Sequence, residues 1–207
     1  MDNFAAMYEK IASHLIDDSL RASAYEGVAL EVKGKLKDSI ARLYAHWGHG
    51  ALSEERVRRY SGFSVHESTS PASCAVVCCC AKSLNGETLI PALLPALMAG
   101  VEHVIPWFIV DSSSPVPDEL LMALELLGIE SAFASSLEEF TTSLQSSIPL
   151  SSDDRLVFLG DCFESDTLIA SLLMERRVRI VCFPQGKLVY PPLVPHWYCN
   201  TSIVFQS

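Results

Sequence analysis

Four short polar stretches carry residue types able to hold an anion or a sugar: Lys82-Ser83-Leu84-Asn85-Gly86, Asp111-Ser112-Ser113, Ser135-Ser136 and Gly160-Asp161-Cys162. A lysine neutralises phosphate, a carboxylate accepts ribose hydroxyls and disfavours a 2′-phosphate, and free N–H groups at a helix start bind oxyanions. The candidate cofactor-binding set is therefore Lys82, Ser83, Asn85, Gly86, Asp111, Ser112, Gly160 and Asp161. The same residue types are also the ordinary caps and loop polars of any α/β protein. Cys162 stands just before an expected helix, whose dipole would lower a thiol's pKa, but no base accompanies it. His46 and His49 are three apart, a spacing that suits two metal ligands, yet no third ligand lies nearby in sequence. Asp153-Asp154 directly precedes an apolar strand and reads as a solvated loop rather than an acid/base dyad. No G-x-G-x-x-G, P-loop, H-E-x-x-H or G-x-S-x-G occurs, so no catalytic residue and no metal ligand is assigned.

The seven cysteines include the run Cys78-Cys79-Cys80, with Cys74 just before it, and no C-x-x-C pair. Neighbouring side chains of a strand point to opposite faces, so these three cannot converge on one metal; they read as small buried apolar residues. An odd cysteine count fits a reducing compartment better than a disulfide framework.

The chemistry depends on the elements that place these residues. The 207 residues, 49% hydrophobic with mean hydropathy +0.26, are enough for one well-filled domain and exclude a disordered chain. Net charge −10 argues against nucleic acid as a partner, and Arg56, Arg58 and Arg59 beside Glu54 and Glu55 read as a solvated helix face. No apolar run is long enough to cross a bilayer, and the start Met1-Asp2-Asn3 is not that of a signal peptide, which points to the cytoplasm.

Phe4, Met7, Ile11, Leu15 and Ile16 recur at helical spacing, and Val28 to Trp47 predicts a second, longer helix ended by Gly48-His49-Gly50. Ser53 with Glu54 and Glu55 predicts a short third helix, and Ser61 to Ser73 a Ser-rich connector. Beyond it the rhythm changes. Strands are expected at Ala75–Cys80, Val101–Val110, Ile129–Phe133, Arg155–Leu159 and Val178–Phe183. Helices are expected between them at Leu89–Met98, Asp118–Leu127, Ser136–Leu144 and Ser165–Met174. That alternation means βαβ units: an α/β fold with a Rossmann-like parallel sheet of about five strands, helices on both faces, and an N-terminal helical segment before it. The expected division is 1–62 for that segment, 72–186 for the Rossmann-like domain and 187–207 for a C-terminal arm. Within the arm, Ser202 to Phe205 is an edge strand or a contact onto a second subunit.

The run from Leu89 to Ile105, with Pro95-Ala96 and Ala99-Gly100-Val101, resembles the histidinol dehydrogenase pattern of an apolar helix followed by a strand. Pro117-Asp118-Glu119-Leu120 and Ala123 to Gly128-Ile129 look like that family's next helix and turn. Arg42 to Gly50 and Tyr60 to Val65 are similar to its lead-in. Val157-Phe158-Leu159-Gly160-Asp161 and Pro184-Gln185-Gly186-Lys187 stand where the wider aldehyde dehydrogenase superfamily has its "T-G-S" and "G-G-K" turns. The resemblance is to the cofactor half of those enzymes. It implies possible NAD(P) binding, while the half that carries the nucleophilic cysteine or the zinc ligands has no counterpart here. The expected function is accordingly a non-catalytic, stand-alone Rossmann-like domain acting in binding or assembly, as a homo-oligomer or with a partner protein over the face of the missing half. The alternative is an NAD(P)- or nucleotide-binding subunit of a dehydrogenase completed by a separate catalytic chain.

Overall fold

The computed structural model describes residues 3–48, 53–61, 63–111, 114–163, 179–183 and 195–206. Three helices open it: α1 (Asn3–Ile11), α2 (Asp18–Gly27) and α3 (Leu30–Trp47). α1 buries Met7 and Ile11, as its spacing predicts. α2 was not legible in the periodicity because it has no apolar stripe; of its residues only Arg21 and Ala24 are buried. It is held instead by Arg21, whose guanidinium donates to the Ile129 carbonyl and pairs with Asp18 and with Glu125 at 3.6 Å. Asp17 caps its start, accepting from the Ser19 N–H at 2.7 Å.

The short helix expected after Ser53 is instead a strand, β1 (Glu54–Tyr60), and the expected connector contains a second, β2 (Phe63–Pro71). They pair antiparallel with Tyr60 opposite Phe63. Arg56, Arg58 and Arg59 therefore lie on a strand, although exposed as expected. Glu and Arg favour a helix locally, but Val57 and Tyr60 are the stretch's only apolar side chains, too few to hold one against a core. Pairing along seven residues satisfies the backbone instead. The signal that could have found it is Ser61-Gly62 between two aromatic residues, a two-residue hairpin turn by composition. β8 (Cys199–Gln206) lies on the other side of β2, giving an antiparallel sheet in the order β1-β2-β8 with β8 at an edge.

The main sheet grows from β3 (Cys74–Cys80), buried throughout. α4 (Gly86–Ala99) leads to β4 (His103–Ile109), and α5 (Asp118–Leu127) leads to β5 (Phe133–Ser135). α6 (Leu137–Ser146) then crosses to β6 (Arg155–Leu159) on the far side of β3, and β7 (Arg179–Phe183) follows at the edge. The order β5-β4-β3-β6-β7 is wholly parallel. Right-handed crossovers place α4 and α5 on one face and, once the direction of travel reverses, α6 on the other. The alternation of β3 matches this. Ala75, Val77 and Cys79 pack with α4 and α5, while Cys74, Val76, Cys78 and Cys80 pack with α1 and α6. The expected helix at Ser165–Met174 and the Pro184-Gln185-Gly186-Lys187 turn lie outside the described residues.

Local signals set most boundaries. Gly100 and Gly128 end α4 and α5 in the left-handed conformation, at φ 83° and 69°. The strand expected from Ile129 starts only at Phe133, because the Ile129 N–H is spent on the Leu124 carbonyl that closes α5. α4 runs through Pro91 and Pro95, which in isolation would cost about 3 kcal/mol each. Burial of Leu89, Ile90, Leu93, Leu94 and Ala96 offsets that, and the buried Tyr198 hydroxyl donates to the Ala92 carbonyl at 3.0 Å.

Candidate functional site

Strand order reverses between β3 and β6, so the carboxyl ends of those strands splay a crevice, the usual ligand position in an open parallel sheet. Three segments meet there. The turn Ala81–Ser83 follows β3, Val110-Asp111 follows β4, and the turn Asp161–Phe163 follows β6. They enclose a cavity of about 140 Å³ lined by Cys80, Lys82, Asp111, Ser114, Pro117 and Cys162.

Of the expected set, Lys82 and Asp111 are brought together. Their Nζ and Oδ2 are 3.5 Å apart, both about two-thirds exposed, at 69% and 68%. Such an open pair adds little to stability. Ser83 turns inward, its hydroxyl reaching the Cys80 carbonyl at 3.3 Å and accepting from the Asp161 N–H at 3.4 Å. Gly160 has φ 100° and stands so close to β3 that a Cβ there would lie 2.3 Å from Ser83 Oγ and 2.6 Å from Cys80 Cβ. Only glycine lets the segment after β6 lie against β3. Asp161 follows it, exposed. Ser112 lies outside the described residues.

Asn85 and Gly86 are not presented to the cavity. Asn85 caps α4, accepting from the Thr88 N–H at 2.9 Å, while Thr88 Oγ1 accepts from the Asn85 N–H at 3.1 Å. The Gly86 N–H donates to Glu119 Oε1 of α5 at 2.8 Å. Leu36 closes over the same spot, 2.9 Å from where a Gly86 Cβ would be. Glu119 is a site residue that sequence reasoning missed, because it reads as an ordinary first-turn acid of its own helix.

The sequence places Cys162 where a helix dipole would lower its thiol, with no base beside it. The structure reverses this. Cys80 first, and then burial, push the Cys162 thiol up. Cys80 is the one held down, by the side chain of Cys162 first, then by Ser83, the Cys162 backbone and the nearby Lys82 charge, against an opposing effect of burial. Cys80 is only 1% exposed, so it belongs to the core and to the cavity wall together. Its place at the last position of β3, ahead of Lys82, was the available signal. By contrast Cys78 and Cys79 are fully buried and pushed up by desolvation.

Asp154 does not solvate a loop as expected. It is 2% exposed and accepts from the Cys74 N–H at 2.9 Å, the Ser151 N–H at 2.7 Å and the Ser151 hydroxyl at 2.9 Å. It is a buried clamp at the opposite end of β3 from the crevice. His46 lies in the last turn of α3 against Trp47, and His49 lies outside the described residues. Among the described residues no three His, Cys, Asp or Glu side chains gather as a metal site, and no helix is long and apolar enough to cross a membrane.

No protein-family model matches the sequence, and no curated protein matches it. Among solved structures the chain is similar to histidinol dehydrogenase from Elizabethkingia anophelis, with TM-score 0.64 and 10% identity over 86% of this chain and 42% of that one. It is also similar to betaine aldehyde dehydrogenase from Staphylococcus aureus in complex with NAD⁺, with TM-score 0.50 and 12% identity over 88% of this chain and 37% of that one. Lactaldehyde dehydrogenase from Escherichia coli matches with TM-score 0.50 and 10% identity over 87% and 37%. The fold is therefore that of the Rossmann-like part of histidinol and aldehyde dehydrogenases, and the chain spans less than half the length of each.

Proposed function

We propose that this chain is a non-catalytic Rossmann-like domain that works by binding and assembly in the cytoplasm, its crevice taking a small polar ligand rather than a dinucleotide. The observation that carries this reading is the Glu119 carboxylate seated on the Gly86 N–H at 2.8 Å. A dinucleotide's pyrophosphate is held by free N–H groups at the opening of a helix. At α4 one of those groups is taken by a carboxylate, another by Asn85, and the negative charge of Glu119 opposes a phosphate. Lys82 and Asp111 neutralise each other at the mouth of a cavity of about 140 Å³. Ligand pockets are usually about 300–1,000 Å³, so a small ligand fits and a whole dinucleotide does not.

The β1-β2-β8 sheet supports assembly. β1 is exposed along its whole length, and Tyr60, Phe63, Ile203 and Val204 stand 44–56% exposed on the same sheet. An open edge beside exposed apolar side chains favours pairing with another chain, and a second copy is the simplest partner.

The alternative, an NAD(P)-binding subunit completed by a separate catalytic chain, draws support from Asp111 at the end of β4 and from the likeness to a protein solved with NAD⁺. Thermal unfolding with NAD⁺, NADP⁺, NADH, ATP and AMP separates the two. A ligand at about a hundredfold over its Kd stabilises by ~2.7 kcal/mol. We expect no shift with the dinucleotides, together with a dimer in light scattering. A shift with NAD⁺ that Asp111→Ala abolishes would replace this reading with the alternative.

A further inference from the structure

The Cys80–Cys162 pair stands apart from the binding question, because its chemistry needs no nucleotide. Cys80 ends β3 and Cys162 lies in the turn after β6, and they come to one place because that turn lies against the end of β3. Both line the same cavity, and each thiol is the first influence on the other's ionisation. Around Cys80 are gathered the Ser83 hydroxyl, the Cys162 backbone N–H and the Lys82 ammonium, all of which favour a negative sulfur. Lys82 in turn faces Asp111 at the cavity mouth, and Cys78 adds to the forces that keep Cys162 protonated. A thiol favoured in its anionic form, with a second thiol on the wall of the same cavity, is the arrangement of a peroxide-reactive cysteine and its resolving partner.

We propose that Cys80 and Cys162 form a site for hydrogen peroxide, which converts them reversibly to a disulfide. The Cys80 thiolate attacks one peroxide oxygen. An S–O bond forms, the O–O bond breaks, and hydroxide leaves and is protonated to water; Cys80 is oxidised to the sulfenic acid and the peroxide is reduced. The Cys162 sulfur then attacks Cys80 Sγ. An S–S bond forms, the S–O bond breaks, and the departing hydroxide takes the Cys162 proton as a second water. In sum the dithiol and one hydrogen peroxide give one disulfide and two waters.

The cavity sets the class of oxidant. A cavity of about 140 Å³ has room for several waters, each with a share of liquid volume of ~30 Å³, and so for hydrogen peroxide. It does not admit a peptide disulfide such as oxidised glutathione. With Cys80 only 1% exposed, a bulky reagent cannot reach its sulfur from outside.

The test is to treat the reduced full chain with a small excess of hydrogen peroxide, quench, and map its thiols by non-reducing digestion and fragmentation. The expected product has lost two hydrogens, carries a single bridge between Cys80 and Cys162, and returns to the dithiol with dithiothreitol. Cys162→Ser is expected to leave a Cys80 sulfenic acid, read by mass as one added oxygen on the Cys80 peptide, and Cys80→Ser to abolish the reaction. Oxidation of the wild-type chain should persist to lower pH than that of an ordinary cysteine, because the surroundings of Cys80 favour its thiolate. A bridge to any other cysteine, Cys80 still reduced when Cys199 is oxidised, or equally fast bridging by oxidised glutathione would each overturn the proposal. The wild-type map decides the matter even if a variant folds poorly, and it does so whether or not any nucleotide binds.

Discussion

Replacing Arg155 by methionine is expected to lower the stability of the fold by about 3–5 kcal/mol, the sum of several polar acceptors that lose their donor at about 1–3 kcal/mol each where buried. Arg155 opens β6 with no exposed surface. Its guanidinium donates to the carbonyls of Trp197 at 2.7 Å, Asp153 at 2.8 Å, Asp154 at 3.1 Å and Cys199 at 2.6 Å, and to Asn200 Oδ1 at 2.9 Å. It also stacks over the Trp197 ring, 5.5 Å from its centroid. Methionine would keep much of the volume and leave the buried Asp154 and Cys199 carbonyls without this donor, each costing about 1–3 kcal/mol if water cannot reach it. The part-buried Asp153 carbonyl keeps the Asn200 amide. Three of the five belong to the segment 195–206, so the loss should fall first on β8 and, through it, on β2. Urea unfolding reads the total, and amide exchange reads the place: β8 amides should lose protection before those of β3. A loss under about 1 kcal/mol, or uniform exchange, would show that β8 is anchored by its pairing with β2 alone.

Gly160→Ala should be the second most damaging single change. The backbone there is in a left-handed region, at φ 100°, which an alanine adopts at a cost of about 1–3 kcal/mol. The added Cβ also meets Ser83 Oγ at 2.3 Å and Cys80 Cβ at 2.6 Å, overpacking that costs about 1–3 kcal/mol more. The relief available is for the turn at Asp161–Phe163 to move off β3, which would part Cys162 from Cys80. The variant is therefore expected to unfold at lower urea and to lose the peroxide-driven bridge in the same protein. Gly34→Ala in α3 is the control. Nothing lies within 4 Å of that Cβ, so the change should stabilise the helix by about 0.5–1 kcal/mol. A Gly160→Ala protein as stable as wild type would mean that β3 and the turn yield more easily than a packed core does.

Both substitutions bear on how much of the protein can be read from its residues in order. The Rossmann-like core was legible because its signals are local. The apolar run Ala75 to Cys80 can only be a strand covered on both faces, and it is buried throughout. Gly128 stops α5 and Ser136 opens α6 with a capping box, so those boundaries needed nothing beyond a few neighbouring residues. The end of β3, with Lys82, and the end of β4, with Asp111, were placed at the crevice by the same reasoning, and they do meet there.

What the tertiary structure decided depends on partners far away along the chain. β1 and β2 have compositions suited to a helix and a loop. They are strands because they pair with each other and because β8, from the far end of the sequence, pairs with β2. α2 has no apolar stripe and is a helix on the core because Arg21 reaches the end of α5. Glu119 on Gly86, Asp154 on Cys74 and Cys162 on Cys80 are likewise contacts between elements. Caps and periodicity act over one or two turns of chain, so they determine which segments are helix or strand. Which carboxylate closes a helix end, and which thiol meets another, follows only once the sheet order has brought distant segments together.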